Sequence, residues 1–432
     1  MCHFAALNRA SHFVRDEIYS EAFKETHRMS DRSFTRNRKL SFPELVMIVL
    51  KGAKRGIHAA IQEVRYSDQF DVDSYSDAAF SKARRKINYT AFEELSSGVA
   101  QMLCSNRKNL KTFLGYRVWA VDGSKVDLPT NPQTLDEFGS ENFTSGPLAQ
   151  GLASCLYDTL NSVVLDACIE RHDANERELA LRHIDALERF CNETNTDKRY
   201  ELVTFDRGYP SAEIIERLME AGFSFVMRVN KENFWREIRK ANGDDTLISR
   251  GSKKLRMIQV PLEKPETTAG GKTVTTATLL TNLTDTEAGK SQISEFYRLR
   301  WKIETNYGFL KRRIELENFT GTSPLCVRQD YHAAMLLTNL IACVIYDTRD
   351  EVAAQCESRQ YEYKINMTES YRELHREMYN LVLAKNTRVF NRVYNRIQKS
   401  LLKTVIPIRD GRSPKRGEVK YGRIFYHNRK PS

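Results

Sequence analysis

The sequence predicts an α/β core built on a mixed sheet, with a β-rich insertion and helical regions on both flanks. Three observations predict it. Helical patterning runs from residue 1 to about 110. From Arg117, apolar runs and helical periods follow in the order strand, strand, strand, helix, strand, helix, strand. Residues 231 to about 285, Thr- and Val-rich around Gly270 and Gly271, then interrupt that order before helical patterning resumes to about Val405. The expected divisions are 1–112 for a helical N-terminal region, 113–345 for the core and 346–432 for a helical, basic C-terminal region.

Each element has a local reason. Ser41 stands as an N-cap before Phe42 and Pro43, and Ser76 opens a second helix that turns at Asn88 and resumes through Leu103. That second helix carries Lys82, Arg84, Arg85 and Lys86, which suits either a DNA-binding module or a charged solvent face. The segment from Val118 to Val126 is rich in β-branched and aromatic residues and ends at Pro129. Leu152 to Tyr157 and Ser162 to Ile169 are the next strands, parted by a turn at Asp158 to Asn161. Helical periodicity spans Glu176 to Cys191, a strand Glu201 to Phe205, a helix Ser211 to Ala221 and a strand Phe223 to Val229. After the insertion a long helix is expected from about Glu287 to Glu315.

Composition narrows the class. The chain has 432 residues, 41% hydrophobic and 28% charged, enough for a sizeable core and ordinary for a globular protein. No apolar run approaches the roughly 20 residues that span a bilayer, and His and Arg interrupt the first 17 residues where a secretion signal would need an apolar stretch. Eight cysteines at irregular spacing, with no Cys-x-x-Cys pair, read as reduced cytoplasmic thiols rather than a disulfide or zinc framework. Net charge is +11; the stretch Lys385 to Lys430 holds 14 Lys and Arg against Asp410 and Glu418, so it alone carries +12. A near-neutral body with one basic end suits an anionic polymer such as DNA, although a solvated tail gives the same count.

Three carboxylates draw the chemistry together. Asp122 ends the first strand in Val-Asp-Gly-Ser-Lys, Asp206 follows the fourth in Phe-Asp-Arg-Gly-Tyr-Pro, and Glu304 lies on the long helix. An aspartate after a strand is more often a turn or cap residue, and Asp206 precedes a natural turn at Gly208-Tyr-Pro. In a sheet of the ribonuclease-H kind, however, strands one and four are neighbours and a helix packed across their ends can add a third carboxylate. Such a set suits two Mg²⁺ ions, with Mn²⁺ as a substitute, spaced about 3.5–4 Å apart around an in-line phosphoryl displacement.

The long helix decides between these readings. Tyr297, Arg300, Glu304 and Lys311 fall within an arc of roughly 60° at about 100° per residue. Apolar Phe296, Leu299, Ile303 and Leu310 lie mostly elsewhere and supply a packing stripe. The face could be a solvated surface with an Arg300–Glu304 pair. It also suits a phosphodiester site, with the carboxylate on metal, Arg300 and Lys311 on phosphate oxygens and Tyr297 as hydrogen-bond donor.

The spacing Tyr-x2-Arg-x3-Glu-x6-Lys in this helix resembles the signature of transposases of insertion-sequence family four. The Asp-Gly-Ser strand at Asp122, the Asp-Arg-Gly-Tyr turn at Asp206, and the segments around Ala78 to Ile87, Ile314 to Gly321 and His332 to Leu340 are similar to that family as well. The resemblance runs from about residue 40 to 345. It implies a ribonuclease-H-like core with a β insertion between the second Asp and the Glu, and Mg²⁺-dependent cutting at element ends. It further implies binding of double-stranded terminal repeats and target DNA, a homodimer in the synaptic complex, and work at the nucleoid. Some relatives offer an insertion tryptophan to a flipped base. Here Thr273 to Leu283 lacks one, so Trp235 and Trp301 are the candidates.

Other residues have plainer readings. His172 and His183 lack a third ligand partner, Asp127 points to the strand face opposite Asp122, and Cys155 and Cys168 read as small core residues. The run Gly271 to Thr276 lacks the glycine spacing of a phosphate-binding loop. Arg388, Arg392 and Arg396 recur every four residues beside Val389, Val393 and Ile397, which predicts a helix with one packing face and one face for the DNA backbone or for a dimer partner. The function expected is a cut-and-paste transposase. Rival readings are a nuclease of the same fold that does not join strands, and a DNA-binding repressor or inhibitor with an inactive core.

Overall fold

The computed structural model describes residues 5–36, 40–52, 61–62, 76–105, 110–144, 146–230, 234, 236, 243–250, 253–267 and 273–409. The helix starts form where polar side chains can satisfy free N–H groups. Ser41 and Glu44 close a reciprocal capping box on Phe42–Lys51, Ser76 caps Asp77–Arg84, and Ser211 caps Ala212–Ala221.

The sheet grows outward from β1 (Arg117–Asp127). On one edge β1 pairs antiparallel with β3 (Gly146–Asp158), and β3 with β4 (Val163–Arg171). On the other edge β1 runs parallel to β5 (Glu201–Phe205), and β5 parallel to β6 (Ser224–Val229). The order β4-β3-β1-β5-β6, with helices Glu176–Glu193 and Ala212–Ala221 as the crossovers, is a ribonuclease-H-like mixed sheet. Every residue of β5 is buried, as a parallel strand covered on both faces requires.

The β-rich insertion forms β7 (Asp245–Arg250), β8 (Lys253–Thr267) and β9 (Thr273–Thr281). β9 pairs antiparallel with β6, so these strands widen the main sheet. Two features escaped the patterning. Asn131 and Pro132 start a short helix, Pro132–Phe138, which leads into β2 (Ser140–Phe143). β3 begins at Gly146 rather than Leu152, because β2 supplies pairing for its glycine- and proline-containing start.

Period-two alternation divides β1 between the two faces of the sheet. Trp119 and Val121 pack with Ala180, Ile184, Leu187 and Phe190 of the crossover helix. Ala120 and Val126 pack with Ile303, Tyr307 and Leu310, while Val118 packs with Ile293, Phe296 and Leu299. Asp122 shares the parity of Val118 and Ala120, and so belongs to the face covered by residues 290–312. Gly123 belongs to the opposite face.

Helices from both flanks join one of these cores. Ala10, Val14, Leu95 and Val99 from the N-terminal side cluster with Leu336, Leu340, Leu374, Val393 and Ile397. Asp347 accepts N–H bonds from Ala6 and Leu7 at 3.0 and 2.9 Å, capping the N-terminal helix Ala5–Tyr19 from the Pro324–Cys356 helix. Arg84 corrects one expectation. It is 2% exposed and bonds Gln329 at 2.7 Å, the Cys326 carbonyl at 3.1 Å and Asp330 at 2.6 Å, so it clamps the N-terminal region to the core instead of facing DNA. Lys82 and Arg85 remain exposed. Among the described residues no helix is long and apolar enough to cross a membrane.

Candidate active site

Strand register directs the two aspartates to the same edge of the sheet. Arg117 pairs with Glu201, and the next three residues of β1 pair with Leu202, Val203 and Thr204, a constant offset of 84 positions. The same offset carries Asp122 onto Asp206, just beyond the last paired residues. A buried fork holds this register. Arg117 donates to both Glu201 oxygens at 2.8 and 3.0 Å and to the Cys104 carbonyl at 3.1 Å, while the Trp119 indole N–H donates to Glu201 at 2.6 Å. Arg117 and Glu201 are both fully buried. A one-residue slip would move the chain by about 3.3 Å and turn each side chain to the other face.

The long helix expected over 287–315 is two helices, Lys290–Leu299 and Trp301–Arg312, which meet at Arg300. Bonds three residues apart, Arg300 N–H to Tyr297 O at 3.2 Å and Ile303 N–H to Arg300 O at 3.0 Å, tighten the junction. Arg300 turns inward and is 2% exposed. Its guanidinium donates to Glu304 at 2.9 Å, stands 3.9 Å from Asp122, and lies over the Tyr297 and Trp301 rings at 5.6 and 5.2 Å. Its Nε and Nη1 atoms are buried without a hydrogen-bond partner among the described residues.

Electrostatics tie Asp206 to the same group. Burial pushes the Asp122 carboxyl up to about 7; Arg300 opposes this, and Glu304 and Asp206 add to it. Burial also raises the Tyr297 phenol, against Arg300 and with Asp206. Asp122, Asp206, Glu304, Tyr297 and Arg300 therefore share one neighbourhood. Lys311 lies farther along β1, where it bonds the Lys125 carbonyl and stands 3.4 Å from Glu317.

Supporting residues unseen in the sequence align these groups. The Tyr307 hydroxyl, one helical turn after Glu304, shares its proton between the Asp122 carbonyl at 2.9 Å and the Ala153 carbonyl at 3.2 Å, tying the Glu304 helix to the Asp122 strand. Its spacing from Glu304 was legible, but its target was not. His183 is not a ligand. It bridges Ser154 at 2.9 Å and Asp166 at 2.6 Å, and Ser154 donates to the Asp122 carbonyl at 3.4 Å. Ser154 and His183 are buried, with no approach for a substrate. Cys155 and Cys168 are core residues on β3 and β4, and the Asp127 carboxylate accepts from Gln150 at 2.7 Å.

The donor set can be tested against a divalent cation. Carboxylate oxygens are the hard ligands that Mg²⁺ and Mn²⁺ prefer, and the crowding of like charge at Asp122 favours a cation beside it. Among the described residues, however, no three His, Cys, Asp or Glu side chains converge on one metal position. Glu304 bonds Arg300 instead. The donor types suit such an ion, but the described geometry does not bring three of them to one position.

The remaining candidates lie apart. Trp301 is 49% exposed beside Arg300, and Trp235 lies outside the described residues. Arg388, Arg392 and Arg396 are exposed on Thr387–Lys403, whose Phe390, Val393, Tyr394, Ile397 and Leu401 are buried. Arg396 pairs with Glu377 at 2.8 Å. The packing face is thus offset from the expected stripe, for Val389 is only half-buried. Residues 410–432 of the basic tail lie outside the described residues.

Sheet order and the gathering of acidic residues at the end of β1 define a ribonuclease-H-like nucleic-acid-processing core. The chain belongs to the transposase DDE domain family, whose model matches residues 114–340, more than half of the 432 residues. It is a DNA transposase. No curated protein matches it in sequence. Solved structures similar to it include a piggyBac transposase synaptic complex with hairpin DNA, at 9% identity and a TM-score of 0.46, covering 91% of this chain and 82% of that one. A pre-cleavage Mos1 transpososome gives 11% identity and a TM-score of 0.20, covering 45% and 61%. A Drosophila P element transposase strand transfer complex gives 10% identity and a TM-score of 0.19, covering 90% and 80%.

Proposed function

We propose that this transposase excises an insertion sequence and joins its ends to target DNA by metal-dependent phosphoryl transfer, with Asp122, Asp206 and Glu304 as the catalytic carboxylates. The observation that supports this reading is the β1–β5 register, which, continued two residues past its last pair, Ala120–Thr204, brings Asp122 toward Asp206 at the edge where Arg300 pairs with Glu304. Mg²⁺ or Mn²⁺ held by the three carboxylates would activate the attacking oxygen and stabilise the leaving one. Arg300 offers Nε and Nη1, which lack a hydrogen-bond partner among the described residues, to a phosphate oxygen. Tyr297 adds a hydrogen-bond donor beside Asp206, and Lys311 binds phosphate farther along the edge. Trp301 is the exposed aromatic nearest the site that could stack on an unpaired base.

The N-terminal region 1–112 would grip element ends, with Lys82 and Arg85 as its exposed cations. The C-terminal arginines would follow the DNA backbone. Two copies would synapse the ends at the nucleoid. The terminal repeats flanking the coding sequence supply the substrate for the test. Asp122→Asn, Asp206→Asn and Glu304→Gln should each abolish Mg²⁺-dependent end cleavage while retaining end binding; retained cleavage in any one removes that residue from the assignment.

One observation favours a second reading, a DNA-binding repressor with an inactive core: the Arg300–Glu304 bond keeps Glu304 from a metal. End binding with no cleavage in either Mg²⁺ or Mn²⁺ would establish that reading. Cleavage without joining of 3′-hydroxyl ends to target DNA would instead mark a nuclease.

A further inference from the structure

Behind the Asp122 strand, a buried serine, histidine and aspartate form one hydrogen-bonded row. Ser154 on β3 is the cross-strand partner of Gly123, the residue after Asp122. His183 comes from the Glu176–Glu193 helix and Asp166 from β4. Asp166 Oδ2 stands 2.6 Å from His183 Nδ1, and His183 Nε2 stands 2.9 Å from Ser154 Oγ. Burial would raise the Asp166 carboxyl, yet its bond to His183 holds it below the usual carboxylate range. The same constellation on an open surface would suggest a nucleophile, but Ser154 is 1% and His183 0% exposed. Its outlet is the backbone instead.

Ser154 Oγ lies 3.4 Å from the Asp122 carbonyl oxygen. That carbonyl and the Gly123 N–H belong to one peptide group, and this N–H donates to the Asp122 carboxylate at 3.0 Å. The row therefore continues, through a single peptide, from Asp166 to the Asp122 side chain. Hydrogen bonds in such a row polarise one another: a carbonyl that accepts makes the N–H of its own peptide a stronger donor. Burial raises the Asp122 carboxyl, and the bond from Gly123, after Arg300, opposes it. Ser154 carries one hydroxyl proton, so it can donate to the Asp122 carbonyl only while it accepts from His183. At 3.4 Å this is the longest link, and the one that a change at His183 would break first.

We propose that His183 and Ser154 are positioning residues for Asp122, fixing the plane of the Asp122–Gly123 peptide so that its N–H meets the carboxylate. The proposal rests on the reading of Asp122 as a catalytic carboxylate and adds to it a support from the face of the sheet opposite Glu304. Tyr307 holds the same carbonyl from the Glu304 side, so the peptide is gripped from both faces. Neither Ser154 nor His183 is open to substrate; both act through the backbone.

Nuclear magnetic resonance of the full-length protein without DNA reads this peptide directly. The sequence has two Asp–Gly pairs, Asp122–Gly123 and Asp410–Gly411, so labelling aspartate with carbonyl ¹³C and glycine with ¹⁵N leaves two signals. Asp122→Asn deletes one and so assigns both. Ser154→Ala and His183→Phe should each move the Asp122 carbonyl resonance upfield, as loss of a hydrogen bond does, and leave the Asp410 signal in place. Both variants should slow single-turnover cleavage of bound element ends by about tenfold, with end affinity unchanged; a displacement of about 1 Å can cost roughly 100-fold. The double variant should be no slower than Ser154→Ala, since one chain is broken only once. Ser154→Ala removes a single oxygen and decides the matter if His183→Phe does not fold. An unmoved Asp122 carbonyl in Ser154→Ala would overturn the proposal, as would equal losses of rate and affinity or additive losses in the double variant. Cleavage retained by Asp122→Asn would overturn the carboxylate reading, whatever the Ser154 variant shows.

Discussion

Removing one side chain from the β1–β5 fork tests how register builds the active site. Glu201→Ala leaves the Arg117 guanidinium fully buried without its carboxylate, and the Trp119 indole without its acceptor. Breaking a buried ion pair costs about 3–5 kcal/mol, and an unsatisfied buried donor about 1–3 kcal/mol. The two losses overlap, so about 4–6 kcal/mol is expected. Unfolding entropy of about 2.1 cal/mol/K per residue over 432 residues gives about 0.9 kcal/mol/K, hence a melting temperature lower by about 4–7 °C. Differential scanning calorimetry reads the shift, and Arg117→Met with Glu201→Leu should recover part of it because no charge is stranded. End cleavage assayed well below the melting transition should also fall, since displacement of about 1 Å between reacting groups can cost about 100-fold. A shift below about 1 °C would refute the energetic argument. A full shift with unchanged cleavage would refute the link from register to site.

Tyr307→Phe removes the hydroxyl that ties the Glu304 helix to the Asp122 carbonyl; stability should drop by about 1–3 kcal/mol, with kcat falling more than end affinity, and an equal fall in both would contradict a positioning role. Burial lowers the pKa of His332 to about 3, with Arg328 assisting and Asp166 opposing, so the folded protein keeps it neutral. Its contribution is therefore complete above the unfolded pKa near 6.5 and is lost as pH falls toward 3, by about 2 kcal/mol at pH 5. His332→Phe, which preserves stacking on Tyr89, should lose less stability than the unsubstituted protein between pH 7 and 5; parallel losses would contradict this. Replacing Arg388, Arg392 and Arg396 by Gln should flatten log affinity for DNA against log salt by about one unit for each phosphate no longer neutralised. An unchanged slope with weaker self-association would assign that helix to a dimer interface.

Local signals were enough for much of this protein. The capping serines 41, 76 and 211, the apolar run of β5 and the spacing from Tyr297 to Lys311 each depend on neighbours within a few residues, so the sequence displays them directly. Those signals gave the order of strands and helices along the chain and singled out three carboxylates as candidates. They could not show that Arg84, in a basic run, is buried against Asp330, because burial depends on what packs from 246 residues away. Nor could they show that the helix breaks at Arg300, where a buried guanidinium meets two carboxylates. The alignment of Asp122 with Asp206 is likewise tertiary. It follows from parallel pairing across an offset of 84 residues, and the buried Arg117–Glu201 fork selects that register because any other would leave its charges unpaired.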